Sequence, residues 1–290
     1  MGIRKPLTVS MTAGLLAVPV LLPAAVPDAQ ATSRACPAYP AFPDAGCTGP
    51  TTDALPRYTG PTDFDVDGEV IENVEIHAVE GIRIEGDNVT FRNVRIVWDG
   101  PLGENIINSD GSGTTFEDCI IDGRGSAERA IAANGRGITV RGCEISGVGN
   151  AIETETPLTV EENYIHDIHT ARGADWHADG VQVPEGADNV TVRHNTIMLN
   201  GPETGAVFIT GDADDPNRNV LITQNLLAGG GYTMYTGYGP GYRVIDNHMS
   251  TRIYPKVGFY NIWYTDDPNA GEVRSGNVIH ETGAPADRNL

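Results

Sequence analysis

The sequence predicts an all-β solenoid, one elongated domain of about nine stacked coils, on three observations. A nine-residue phrase recurs: Asn88-Val-Thr-Phe-Arg-Asn-Val-Arg-Ile96 returns as Asn189-Val-Thr-Val-Arg-His-Asn-Thr-Ile197 and as Asn219-Val-Leu-Ile-Thr-Gln-Asn-Leu-Leu227. Its closing apolar residue falls at Ile76, Ile96, Ile121, Ile145, Ile165, Ile197, Leu227, Met249 and Ile279, in steps of 20 to 32 residues. Repeats of that length bury their apolar faces only by stacking on one another. Within the phrase, positions two and four are apolar and three and five polar, as in a strand with one buried face; six and seven form a bend, and nine points inward again. Position seven is Asn in five consecutive copies, Asn163, Asn195, Asn225, Asn247 and Asn277. An inward Asn can bond the copies above and below it, which requires parallel, in-register coils.

Residues 1–31 read as an export signal. Arg4 and Lys5 precede an apolar run from Met11 to Val26, broken by Pro19 and Pro23 and followed by the cleavage pattern Ala29-Gln-Ala31. The expected location is therefore secreted, outside the cell, and no later segment is apolar enough to span a bilayer. Without Arg4, Lys5 and Asp28 the chain keeps 17 basic and 38 acidic residues, a formal charge of −21. That field repels nucleic acid and anionic membranes, so neither is expected as a partner. It also opposes a polyanionic substrate unless a basic patch or a bound cation offsets it.

Residues 32–65 are expected to form a disulfide-stapled N-terminal cap, with the β-helix proper over 66–290. Four cysteines in an exported chain imply two disulfides. Cys36 and Cys47 flank a Pro- and Ala-rich segment. Cys119 and Cys143 share phrase position seven in consecutive copies, where stacking sets equivalent residues about 4.8 Å apart, inside the range of roughly 4.4–6.8 Å for bridged Cα atoms. A second bridge is expected there.

Between phrases lies a second short strand, as in Gly81-Ile-Arg-Ile84, Asn150-Ala-Ile-Glu153, Gly180-Val-Gln-Val183 and Tyr232-Thr-Met-Tyr235. With these strands, and through Asp179-Gly-Val-Gln-Val183, Gly229-Gly-Gly-Tyr232 and Gly276-Asn-Val278, the chain from about residue 66 resembles secreted actinobacterial right-handed parallel β-helix proteins of the pectate-lyase-like superfamily. The resemblance implies the fold and a polysaccharide-directed role, while such helices carry lyases, hydrolases, epimerases and phage depolymerases alike. The R-x-P-x-x-R motif of pectate lyases, the Gly-His-Gly and Arg-Ile-Lys of polygalacturonases and the Asp-Pro-His-Asp of mannuronan epimerases are missing. No catalytic role is therefore carried over residue by residue.

If the second strand alternates, Glu153, Gln182, Phe208, Tyr235 and Trp263 face outward as a column rising about 4.8 Å per coil. Two polar groups followed by three aromatics suit a sugar chain. Beside it, three of the seven histidines fall between 166 and 177, in the segment Tyr164-Ile-His-Asp-Ile-His169, Arg172, Asp175-Trp176-His177 and Asp179. This segment occupies the longest step, and long loops on rigid scaffolds carry catalytic groups.

Three chemistries fit these residues. β-Elimination from a uronic acid can use His177 or His169 as base and Tyr235 or Tyr232 as acid. Arg172 or Lys256, the sole lysine after the signal, would then neutralise the carboxylate. Hydrolysis needs two carboxyl groups, for which Glu153, Asp175, Asp179 and Asp212 are candidates. A metal is the third possibility: Asp167, Asp175 and Asp179 offer oxygens to Ca²⁺, and His166, His169 and His177 suit Zn²⁺, although neither spacing matches a recognised motif. The leading expectation is a secreted, monomeric lyase acting on an extracellular, uronate-containing polysaccharide, with no cofactor beyond a possible Ca²⁺. The alternatives are a glycoside hydrolase and a glycan-binding protein without turnover.

Overall fold

The nine phrase-closing residues stack in a single file. In the computed structural model, Ile76 pairs in register with Ile96, then Ile121, Ile145, Ile165, Ile197, Leu227, Met249 and Ile279, and every member is buried. The structure describes Met1, Gly2 and residues 35–290 apart from Asp53, Asp266, Asp267 and Ala270. The export signal read at 1–31 falls almost wholly outside the described residues.

Each coil contributes three short parallel strands. The first half of the phrase builds a separate nine-stranded sheet, from Val70–Glu72 to Val273–Ser275. The strands after the bend form a second face, from Glu75–Ala78 to Val278–Ile279. The third face runs from Asp63–Phe64 through Asp179–Val183 and Tyr232–Thr236 to Asn261–Trp263. Two long strands, Ile120–Ala133 and Glu144–Thr154, pass through both of the latter faces and join them into one sheet. Inside, Phe91 and Phe116 stack at 5.2 Å, and the file continues through Val140, Val160, Val192, Ile222 and Val244.

Backbone conformation explains the polar letters of the phrase. Position six has a positive φ in all nine coils: Asn73, Asn93, Asp118, Gly142, Glu162, His194, Gln224, Asp246 and Gly276. A left-handed residue there turns the chain from the first face to the second, and Asn, Asp and Gly adopt it most cheaply. Position seven then points inward. Asn195 Oδ1 accepts both the backbone and the side-chain N–H of Asn163, each at 2.9 Å, while Asn195 donates to Val160 O and to Asn225 Oδ1, also at 2.9 Å. Asn225 repeats this with Asn247, and Asn247 with Asn277. The ladder ends on Asp287 Oδ1, which takes the Asn277 amide at 2.7 Å.

The ladder overturns the second expected disulfide. Cys119 and Cys143 are buried free thiols. The Cys143 sulfur accepts the Cys119 backbone N–H at 3.4 Å, and the Cys143 N–H donates to Asn163 Oδ1 at 2.8 Å, so the two cysteines extend the Asn stack. In-register coils point equivalent Cβ atoms the same way. They hold the coil spacing of ~4.8 Å instead of converging to the roughly 3.5–4.5 Å that a disulfide needs.

The Cys36–Cys47 bridge is present, but its segment does not simply cap the first coil. It runs back along the corner at position six. Tyr39 meets His248, Ala41 O lies 3.0 Å from His194 Nε2, and Thr196 Oγ1 donates to Pro43 O. Gly49 N–H then donates to Gly142 O, Thr51 N–H to Asn93 Oδ1 and Tyr58 N–H to Glu75 O. The strap thus descends the solenoid before entering the first coil.

Two measurements check this architecture. Asn195→Ala strands the Asn163 donors and Val160 O in the interior and is expected to cost at least ~3 kcal/mol in urea unfolding, against under ~1 kcal/mol for the outward Thr191→Ala; equal costs would argue against the ladder. Denatured protein without reductant should yield two reactive thiols per chain, and a count of zero would restore the second bridge.

Candidate functional site

The third face carries the chemistry, because its register sets the outward column. Glu153 pairs with Gln182, Gln182 with Phe208, and Phe208 with Tyr235, as the alternation required. The last coil departs from it. Met234 pairs with Trp263, so Trp263 lies in the core with no exposure and is not a substrate-facing residue. Its indole N–H donates to Ala286 O at 2.9 Å, and the Arg274 guanidinium lies 3.8 Å over its ring. Tyr264, 62% exposed, continues the column instead, stacked on Tyr235 at 4.9 Å.

Around this column the rings are continuous. Phe208 lies 5.2 Å from Tyr235; Tyr232 touches Tyr235, Tyr260 and Tyr264; and Tyr260 adjoins Phe259. Phe259 and Tyr260 are 53% and 56% exposed, so the apolar wall faces solvent. Beside it opens a cavity of about 400 Å³ lined by Trp176, His177, Pro202, Glu203, Thr204, Phe208, Gly231, Tyr235 and Tyr260. Glu203 is positioned by Thr170, whose backbone N–H and hydroxyl donate to Oε2 at 3.0 and 2.6 Å. The Trp176 indole reaches across the face towards Gly149, where a Cβ would stand 2.5 Å from its Nε1, so only glycine admits it.

Further along the third face, a polar network joins the half-buried Arg129, Glu153 and Gln182 to the buried Asn150 and Asp179. Glu153 is salt-bridged to Arg129. Asn150 Nδ2 donates to Glu153 Oε2 at 2.8 Å and to Gln182 Oε1 at 2.5 Å, while Asn150 Oδ1 takes the Asp179 backbone N–H at 3.0 Å. Asp179 is fully buried; its Oδ1 accepts the Gly205 N–H at 2.9 Å, and its Oδ2 has no partner among the described residues. Burial, with the nearby Glu153 charge adding to it, pushes the Asp179 carboxyl up to about 8. Burial likewise pushes the Tyr235 phenol up to about 12, so it stays protonated at neutral pH. Asp179 therefore acts on the site from behind, as a neutral acid out of reach of a bound chain.

The other expected groups do not converge. His177 lines the cavity, whereas His169 is turned to Asp167 O at 2.9 Å. Arg172 and Lys256 are exposed and not among the lining residues, and the loop of Lys256 contributes Tyr260 instead. His166 sits between Glu144 at 3.0 Å and Asp167 at 2.8 Å; burial works against its charged form, but the two carboxylates raise its pKa overall. Asp167 also takes the Asn200 amide at 2.7 Å, Asp175 is exposed, and Asp179 is buried, so the three do not share a ligand sphere. Among the described residues, no group of three or more His, Cys, Asp or Glu is placed to hold a metal.

The neutral Asp179 gives a pH test. Its folded pKa lies above the unfolded carboxyl value, so its contribution is fully present below about pH 4 and is lost as pH rises towards about 8. Chemical unfolding across that window should show stability falling by roughly 5 kcal/mol for this group. Asp179→Asn is expected to flatten the fall; an unchanged profile would show that Asp179 ionises freely.

Glu203, Tyr260 and Tyr264 escape the sequence reading. Tyr260 opens the recurring second strand Tyr260-Asn-Ile-Trp263 without being marked as a site residue, and Glu203 stands in a connecting loop that the 30-residue step from Ile197 to Leu227 signals as enlarged. No curated protein and no solved structure matches the chain. A family model described as the right-handed β-helix region matches residues 64–227, more than half of the chain. The file of nine stacked coils and this match lead to one conclusion: the chain belongs to the right-handed β-helix family.

Proposed function

We propose that the protein is exported and, as a monomer, recognises an extracellular polysaccharide along the third face. The observation that carries this reading is the solvent-facing wall of Phe208, Tyr235, Tyr264, Tyr232 and Tyr260 beside the cavity. Ring faces offer apolar area to the C–H side of sugars, and the phenols and Glu203 offer partners for hydroxyls. A rigid solenoid fixes the spacing of these groups before the ligand arrives, which reduces the ordering cost of binding.

Cleavage by β-elimination is the second reading, favoured by His177 and Tyr235 lining the same cavity. His177 would take the proton at C5, the C4–O bond would break, and the leaving oxygen would receive the Tyr235 proton. No Lys or Arg stands among the lining residues to neutralise a uronate carboxylate, and this ranks elimination behind recognition. Hydrolysis ranks lower still, since Glu203 is the one carboxylate in the lining.

Tyr264→Ala and Tyr235→Ala are each expected to weaken binding to a responsive polysaccharide about fivefold or more in titration calorimetry. Unchanged affinity in both would refute the aromatic site. If elimination occurs, new reducing ends will accompany absorbance of an unsaturated uronate, and His177→Ala will cut the rate about 100-fold or more while binding persists. Polymer panels that give binding with neither signal leave recognition as the function.

A further inference from the structure

A larger cavity, about 650 Å³, opens on the same face at the opposite end of the solenoid. Its lining includes Asp63, Glu80, Arg83, Trp98, Glu104 and Asn108. Asp63, Arg83 and Asn108 belong to the outward column itself: they pair in register, and the file continues through Ala132, Glu153, Gln182 and Phe208 to Tyr235. Six steps separate Arg83 from Tyr235, a span of ~29 Å along the axis. Gly81 keeps the Asn108 amide open, because a Cβ there would stand 3.1 Å from its Nδ2.

The charge of the two cavities selects a ligand. Arg83 is the one cation in the lining of the larger cavity, and Asp63 holds its Nε at 2.9 Å. Glu80 and Glu104 are exposed and have no basic partner among the described residues. In the aromatic cavity Glu203 faces no Lys or Arg. A polyanion meets uncompensated like charge at both ends of the column, and a neutral sugar leaves Glu80 and Glu104 unused. A sugar bearing a primary ammonium gains from each of them.

We propose that the larger cavity is a distal subsite for a basic glycan, one whose sugars carry primary amines, and that a single chain runs along the column from this subsite to the aromatic wall. The proposal rests on the reading of the aromatic wall as a glycan site. It differs from that reading in naming both the ligand class and a second point of contact.

The test is titration calorimetry near pH 6 with three probes: a glucosamine hexamer, its N-acetylated counterpart and a galacturonate hexamer. The glucosamine hexamer is expected to bind about tenfold tighter than the N-acetylated one at low ionic strength, with the ratio falling towards one as salt is added. A Glu80→Gln, Glu104→Gln double variant, its folding checked by its unfolding midpoint, should lose that advantage while binding the N-acetylated hexamer unchanged. Tyr264→Ala should weaken both amino-sugar probes. Equal binding of the two amino-sugar hexamers, an advantage that survives the double substitution, or tightest binding of galacturonate would overturn the basic-glycan assignment and leave the aromatic site standing. Failure of all three probes to bind would overturn both.

Discussion

Register between coils is the constraint on which everything else depends. Nine turns of unequal length are brought to the same phase because each phrase closes on a buried aliphatic residue that must sit directly over the previous one. A slip of one residue would turn that file outward and the polar letters inward. The left-handed residue at position six and the Asn ladder at position seven restrict the slip further, since both require their own kind above and below. The outward column of the third face is a by-product of this phasing. Its side chains are evenly spaced because the core beneath them is.

The repeat made the stack legible in the sequence. Asn163, Asn195, Asn225, Asn247 and Asn277 spelled out parallel in-register coils, because a buried amide repeated at one position has no other economical way to satisfy its hydrogen bonds. Local pattern was misleading where an end or a partner mattered. Trp263 looked like the next outward residue, yet it pairs with the inward Met234 and residues 286 and 289 bond across it. The Arg274 guanidinium lies over its ring and helps to bury it. Cys119 and Cys143 met the Cα spacing of a disulfide, but parallel side-chain directions do not follow from spacing alone. Residues 32–65 read as a cap because Cys36 and Cys47 flank a Pro- and Ala-rich segment, and the route of that segment along the corner is set by contacts with His194, Thr196 and His248 far away in sequence.

The candidate site was most legible where it lay on strands, although Trp176 and His177 were marked by their enlarged loop. Glu153, Gln182, Phe208 and Tyr235 follow from strand alternation, and the structure keeps them in one column. Loop residues obey no such rule: His177 reaches the cavity, whereas His169, Arg172 and Lys256 do not line it. Asp179 was a candidate carboxylate for hydrolysis or Ca²⁺ because it closes the His-rich segment, and its burial could not be read from that position. Its carboxyl is unusual because it is buried and neutral, and that burial removes it from contact with a ligand. It steadies the Asn150–Glu153–Gln182 network and the Gly205 backbone that leads into the cavity wall.

Register decides which side chains face the ligand, and the last coil is where a shift of one residue would show most plainly. Hydroxyl-radical oxidation of the free protein, read by peptide mass at single-residue level, separates the two phases directly. Tyr264 is expected to oxidise rapidly and Trp263 little, despite the greater intrinsic reactivity of an indole. Oxidation of Trp263 at a rate equal to or above that of Tyr264 would place the indole outside, shift the column by one residue, and contradict the site described above.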